Sequence, residues 1–141
     1  MTEEQQRSAV VAEALSWLGT GYHHHARIKG VGVDCAQIVC AVFEACGLVE
    51  PIDPGYYATD WHLHRSEEVY TGWCARYATP VECPQPGDVV LFRFGRCFSH
   101  AGIVVEADTV VHAYVNSGVI LTRFSEAPLA GREMQAWSIW A

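Results

Sequence analysis

Between residues 85 and 124 the sequence runs "QPGDVVLFRF", "SHAGIVVE", "TVVHAYV" and "VILTRF", four short β-rich stretches parted by Gly-Arg, Ala-Asp and Asn-Ser-Gly. Turn residues between runs of Val, Ile and Phe predict hairpins, so this half of the chain reads as an antiparallel meander. "MQAWSIW" near the end predicts one more strand. The first half carries helical signals instead. Thr2 and Gln5 have capping-box spacing, with Glu3 and Glu4 in a first turn. Val10, Val11, Ala14, Leu15, Trp17 and Leu18 give that helix an apolar face, and Gly19 ends it. Asp34 is a good N-cap for a second helix that runs to Cys46 and stops at Gly47. Apolar almost all round, that helix belongs in the centre of the fold. Residues 50 to 64 read as irregular, and Ser66, with Glu67 and Glu68 behind it, opens a third helix to near Ala78. Helices first and strands afterwards make an α+β domain, its N-terminal helices packed on a C-terminal sheet. With 141 residues and no repeat or linker, residues 1–141 are expected to form one domain.

Charge and hydropathy narrow the function. A formal net charge of −7 argues against nucleic acid, which needs a basic surface. No stretch reaches the roughly 18 consecutive apolar residues of a membrane span. The start, "MTEEQQRSAVVAEAL", lacks the basic-then-apolar pattern of a signal peptide, so synthesis in the cytoplasm is expected. The cysteines stand at 35, 40, 46, 74, 83 and 97, without the regular spacing of a disulfide scaffold. Most read as thiols, and several as small core residues.

One of them differs from the rest. Cys35 follows the N-cap Asp34, where unpaired N–H groups give a helix terminus about half a positive charge and favour a thiolate. Cys40 and Cys46 lie deeper in the same helix. A lone cysteine in an apolar helix is more often core, so a base is needed to make it a nucleophile. His100, at the start of one strand run, and His112, within the next, supply a base and an orienting partner for it. They share a face of the sheet only if the residues paired across that hairpin have numbers with an even total. The even register is predicted, through a three-residue loop, Glu106–Ala107–Asp108, that sets His112 diagonal to His100. A two-residue loop at Ala107–Asp108, without a bulge, splits them.

With these residues assembled, the chain resembles the NlpC/P60 family of papain-like cysteine peptidases. The likeness rests on Gly21-Tyr22, Asp34-Cys35-Ala36-Gln37-Ile38, Pro86-Gly87-Asp88, His100-Ala101-Gly102-Ile103 and His112-Ala113, in the family's order from about residue 10 to residue 122. The resemblance implies a papain-like α+β fold and hydrolysis of peptidoglycan stem peptides, typically between D-γ-glutamate and diaminopimelate. It implies Cys35 as nucleophile, His100 as base and His112 as orienter. Tyr22 would line the cleft, its hydroxyl helping the Cys35 backbone N–H to hold the oxyanion. The single-domain form, with "DWHLHRSEE" between helices, resembles the subgroup encoded by phages and gene transfer agents. That implies a virion tail, a tail hub or baseplate protein as partner, and action in the target-cell periplasm. Ala36 and Gln37 replace the family's Ser-Gly, and "HHHARIKG" replaces an aromatic-Gly-Gly; both changes fall on the substrate side. Two other classes stay open: a structural tail-tip component with weak or relict activity, and a papain-like acyltransferase or thioesterase.

No cofactor is expected. His23 to His25 and the His-Leu-His at 62 to 64 match none of the usual zinc spacings, so the His run reads as a solvated loop. Asp88 reads as a cap of its Pro-Gly turn.

Overall fold

The computed structural model describes residues 1–52 and 69–141. Helix α1 spans Glu3–Leu15 and α2 spans Cys35–Ala45. Helix α3 is Val69–Tyr77, and its expected start at Ser66 lies outside the described residues, as do the 62–64 histidines. A small hairpin joins β1 (Arg27–Ile28) to β2 (Gly32–Val33). The main sheet holds β3 (Thr79–Val81), β4 (Val89–Phe94), β5 (Cys97–Glu106), β6 (Thr109–Tyr114), β7 (Gly118–Arg123) and β8 (Met134–Ser138). All its pairings are antiparallel, in the order β3-β8-β4-β5-β6-β7. The fold is thus α+β, as the change of period predicts.

The meander of β4 to β7 forms as expected, and the last strand forms too. It does not extend the meander but returns to pair with β4, carrying β3 on its outer side. Strand β3 and the β1–β2 hairpin have no sequence counterpart in our reading: runs of two or three residues are too short for a period-2 pattern to register. Helix α1 has its capping box, with Gln5 N–H 3.1 Å from the Thr2 hydroxyl. It stops at Ser16, short of Gly19, because the Ser16 hydroxyl takes the Glu13 carbonyl at 2.6 Å and Trp17 and Leu18 bond back only three residues. Leu15 and Leu18 are consequently exposed, while Val10, Ala14 and Trp17 face the core.

Helix α2 is central, as its all-round apolarity requires. Ile38, Val42 and Phe43 pack with Leu91, Ala101, Ile103 and Val111 on one face of the sheet. The opposite face has a smaller core of Val90, Phe92, Val104, Val110 and Leu129. The start of β7 is locked to the loop after α1 by Val119 N–H on the Thr20 carbonyl (2.8 Å) and Gly19 N–H on the Val119 carbonyl (3.2 Å). Gly118 permits this approach: its φ is +76°, and a Cβ there would lie 2.6 Å from the Thr20 carbonyl oxygen. We expect Gly118→Ala to destabilise the fold by about 2 kcal/mol, from strain at positive φ and loss of this seam. Urea unfolding checks it, and an unchanged midpoint would contradict the assigned backbone.

Candidate active site

Asp34 opens α2 as a buried N-cap. Its carboxylate accepts from the N–H groups of Ala36 (3.1 Å) and Gln37 (2.9 Å), and from that of His25 (2.8 Å). One side chain therefore fixes both the helix start and the His-rich loop. His24 Nδ1 lies 3.8 Å from the same carboxylate. That loop bends back on α2, which a purely solvated reading does not anticipate.

The next residue, Cys35, is only 7% exposed. Its sulfur is 3.6 Å from the Tyr70 hydroxyl and 3.8 Å from the Ser99 carbonyl, and the Ala101 backbone also hydrogen-bonds it. The sulfur thus sits against β5 on both sides of His100, though it makes no hydrogen bond to the His100 ring. Burial pushes the thiol up to about 11, the Asp34 carboxylate adds to this, and the Tyr70 hydroxyl and backbone groups pull it back. This reverses the expectation of a thiolate favoured by the helix terminus. Desolvation of a fully enclosed sulfur outweighs half a unit of helix charge, which the capping carboxylate already offsets.

His100 and His112 share a face, as the resemblance requires. Ile103 pairs with Val111 and Val104 with Val110, the even register. The route differs from the expected three-residue loop. Glu106 pairs with Thr109 across a two-residue turn, and an irregularity between Val104 and Glu106 shifts the register back. His100 Nε2 then lies 2.7 Å from His112 Nδ1, and His112 Nε2 lies 2.8 Å from the Thr122 hydroxyl. A relay of three side chains crosses β5, β6 and β7. Gly102 makes room for it, since a Cβ there would lie 3.1 Å from the Val110 Cβ and 3.4 Å from the His112 Cβ.

Burial lowers both imidazoles. His100 falls well below the usual 6.5, through desolvation first and then the His112 and Arg132 charges, and His112 falls to about 4. At neutral pH the site therefore rests uncharged, as thiol and two neutral imidazoles. In one tautomer His112 gives its Nε2 proton to Thr122 and accepts the His100 Nε2 proton at Nδ1, which leaves the His100 Nδ1 lone pair as a base.

The other expected residues are placed as follows. Tyr22 is half-buried, bridged to Val33, and close enough to Cys35 and Asp34 for their charges to raise its hydroxyl, after the larger effect of burial. Gln37 is buried and does not reach the sulfur. Its side-chain oxygen accepts from Arg27 Nε at 2.7 Å, and Arg27 also binds Glu44 and the Ile52 carbonyl (2.9 Å). Three neighbours escaped the sequence reading. Thr122 was within its reach: His112 pairs with Ile120, so Thr122 is the same-face diagonal neighbour on the next strand. Arg132, stacked over Phe94 at 3.5 Å, arrives on a loop. Tyr70 arrives on α3, with nothing in its local sequence to point at Cys35.

The family model described as "NlpC/P60 family" matches residues 16–138. No curated protein matches the chain. Among solved structures, the NlpC/p60 domain of the peptidoglycan hydrolase SagA superposes with a TM-score of 0.60 at 18% identity, over 92% of this chain and 96% of that one. A protein described as similar to lipoprotein, NLP/P60 family, from Staphylococcus aureus gives 0.66 at 16%, over 98% of this chain and 42% of that one. NlpC1 from Trichomonas vaginalis gives 0.66 at 15%, over 98% and 46%. The chain thus spans nearly all of the first and less than half of the other two. At these identities the likeness is one of fold.

Proposed function

The chain belongs to the NlpC/P60 family, and we propose that it is a cysteine peptidase of the cell wall, cutting murein stem peptides between D-γ-glutamate and diaminopimelate. The observation that carries this reading is the Cys35 sulfur lying against the backbone of Ser99 and Ala101, the residues on either side of His100, whose Nε2 is held by His112. Because the thiol and the imidazoles are neutral at rest, proton transfer accompanies attack. The Cys35 S–H bond breaks, its proton passes to His100 Nδ1, and the sulfur adds to the amide carbonyl. The carbonyl electron pair moves to oxygen, where the Cys35 backbone N–H and the Tyr22 hydroxyl receive it. Collapse expels the amine, which takes the proton from His100 and leaves a thioester on Cys35. Water, deprotonated by His100, then releases the acid. His112 and Thr122 hold His100 in the tautomer this sequence of steps needs.

Muropeptides incubated with the wild type and with Cys35→Ala, and read by mass spectrometry, test the proposal. Stem peptides should be cut by the wild type alone, with the new amine on the diamino acid. No Cys35-dependent cleavage would remove the peptidase reading.

The same proposal sets the enzyme on a phage-like tail, docked on a hub or baseplate protein and acting in the target-cell periplasm. Its support is the sequence likeness to short, tail-borne forms. Particles carrying Cys35→Ala that assemble normally but enter cells poorly would favour it; unimpaired entry would favour a structural tail-tip role. A second reading has an observation of its own. An apolar cavity of about 90 Å³ includes Ala36, Tyr70 and Ala101 in its lining, all beside the sulfur. Such a cavity suits an acyl group, and an acceptor other than water among the products would identify an acyltransferase.

A further inference from the structure

Tyr70 belongs to none of the motifs that carry the family resemblance. It lies in α3, buried to 4% exposure, with its ring stacked on Trp73 at 5.2 Å between centroids. Stacking and burial hold the hydroxyl 3.6 Å from the Cys35 sulfur. An apolar ring would fill the same space without a polar tip to satisfy.

We propose that Tyr70 is a further catalytic residue: its hydroxyl donates to the Cys35 sulfur as the proton leaves, and so carries part of the charge that develops there. The inference rests on the reading of Cys35 as the nucleophile. In the resting state either group can donate, since thiol and phenol are each donor and acceptor. As the sulfur gives its proton to His100 it becomes acceptor-only, and Tyr70 becomes the donor. Its own O–H bond stays intact throughout, so no proton is gained or lost at Tyr70. When the sulfur bonds to the acyl carbon its charge is discharged and the hydrogen bond weakens. The interaction is thus strongest between thiol and tetrahedral intermediate, where it accelerates attack. The site needs such help. Among the described residues the desolvated sulfur has no cation beside it, and its other hydrogen-bonding neighbours there are backbone groups of β5 and its own N–H. Tyr22 and Tyr70 would then divide the work, one facing the oxyanion and the other the sulfur.

The test uses alkylation of Cys35 by iodoacetamide, which reads the thiolate without any substrate. Rates are followed at the Cys35 peptide by mass spectrometry across pH, on the full chain. A hydrogen bond to a charged group is worth enough that Tyr70→Phe should raise the alkylation midpoint by about one pH unit, roughly tenfold in rate at fixed pH. Placing 3-fluorotyrosine at position 70, a stronger donor of nearly the same shape, should lower the midpoint and covers the case of a poorly folded Phe variant. Unchanged midpoints in both would overturn the proposal. If the midpoints shift while wild-type protein leaves muropeptides intact, Tyr70 stands and the peptidase reading falls. If muropeptides are cut and the midpoints do not move, the reverse holds.

Discussion

Acidification from pH 6.5 to pH 5 should cost the fold about 2 kcal/mol through His112 alone, reaching about 3 kcal/mol near pH 4. In the folded protein His112 is fully buried and titrates at about 4; in the unfolded chain it titrates at its ordinary 6.5. Above 6.5 neither state holds the extra proton. Between 6.5 and 4 the unfolded chain binds it and the folded chain does not, so stability falls as pH falls. Below 4 both bind it and the loss levels off. His100 is lowered further and acts in the same direction. Among the described residues, the groups facing the pair are Arg132, whose charge also lowers His100, the Thr122 hydroxyl, and the rings of Phe92, Phe94 and Tyr114. None of them is an acid that would stabilise an imidazolium. Urea unfolding of the wild type and of His112→Leu between pH 7 and pH 4.5 isolates the effect, because carboxylate titration is common to both. The variant should be less stable at pH 7 and should fall less steeply; parallel curves would show that His112 is not held neutral by burial. Activity follows the same protons. The acid limb of kcat/KM should lie below pH 6.5, since catalysis needs His100 as a free base.

The relay that produces this behaviour was partly legible in the sequence. The pattern of strands and the capping role of Asp34 follow from period and turn chemistry, and the two-residue repeat of a strand says which register would bring His100 and His112 to one face. The register is reached by a bulge near Val105 and not by a longer loop, and the bulge was not legible because Val-Val-Glu carries no Gly or Asn to announce an irregularity. Continuing the same arithmetic across the next hairpin would have found Thr122. The charge state of Cys35 was not legible. The pull of a helix terminus can be read from position, but the opposing desolvation depends on how α3 and β5 close over the sulfur, which is a property of packing. Tyr70 was hidden for the same reason, since it meets Cys35 only through tertiary contact. Gln37 looked like an intrusion into the cleft, and its engagement with Arg27 depends on a β1 strand only two residues long.

Arg7→Met should destabilise the protein by about 3 kcal/mol, a large part of the stability of an ordinary domain. Asp88 stands at the turn before β4 and is 2% exposed. One carboxylate oxygen accepts the Gln85 N–H at 2.8 Å, the capping role expected of it. The other receives Arg7 from α1 at 2.9 Å, an ion pair between residues 81 positions apart that no local pattern indicates. The same guanidinium nitrogen also holds the Pro86 carbonyl at 2.9 Å, and the guanidinium lies 4.3 Å over the Trp140 ring. Its ion pair with Glu3, at 3.7 Å on the surface, adds little. Methionine keeps much of the packing on Trp140 but leaves the buried carboxylate without its cation. Breaking one half of a buried pair costs more than the pair contributes, because the remaining charge stays desolvated. Combining Arg7→Met with Asp88→Asn removes that charge, so the double variant should recover part of the loss. A double-mutant cycle by urea unfolding would then give a coupling above about 1 kcal/mol. Additive losses would mean that Asp88 is solvated well enough to do without Arg7. The seam matters to the site as well. The Asp88 carbonyl accepts from Val104 N–H at 2.9 Å and Gly87 N–H donates to the Val104 carbonyl at 2.8 Å, which ties the turn to β5, the strand that carries His100. Loosening α1 from this turn should therefore lower turnover at temperatures below the unfolding transition. Cys35→Ala, which leaves Arg7 and Asp88 in place, should lower turnover without shifting that transition comparably.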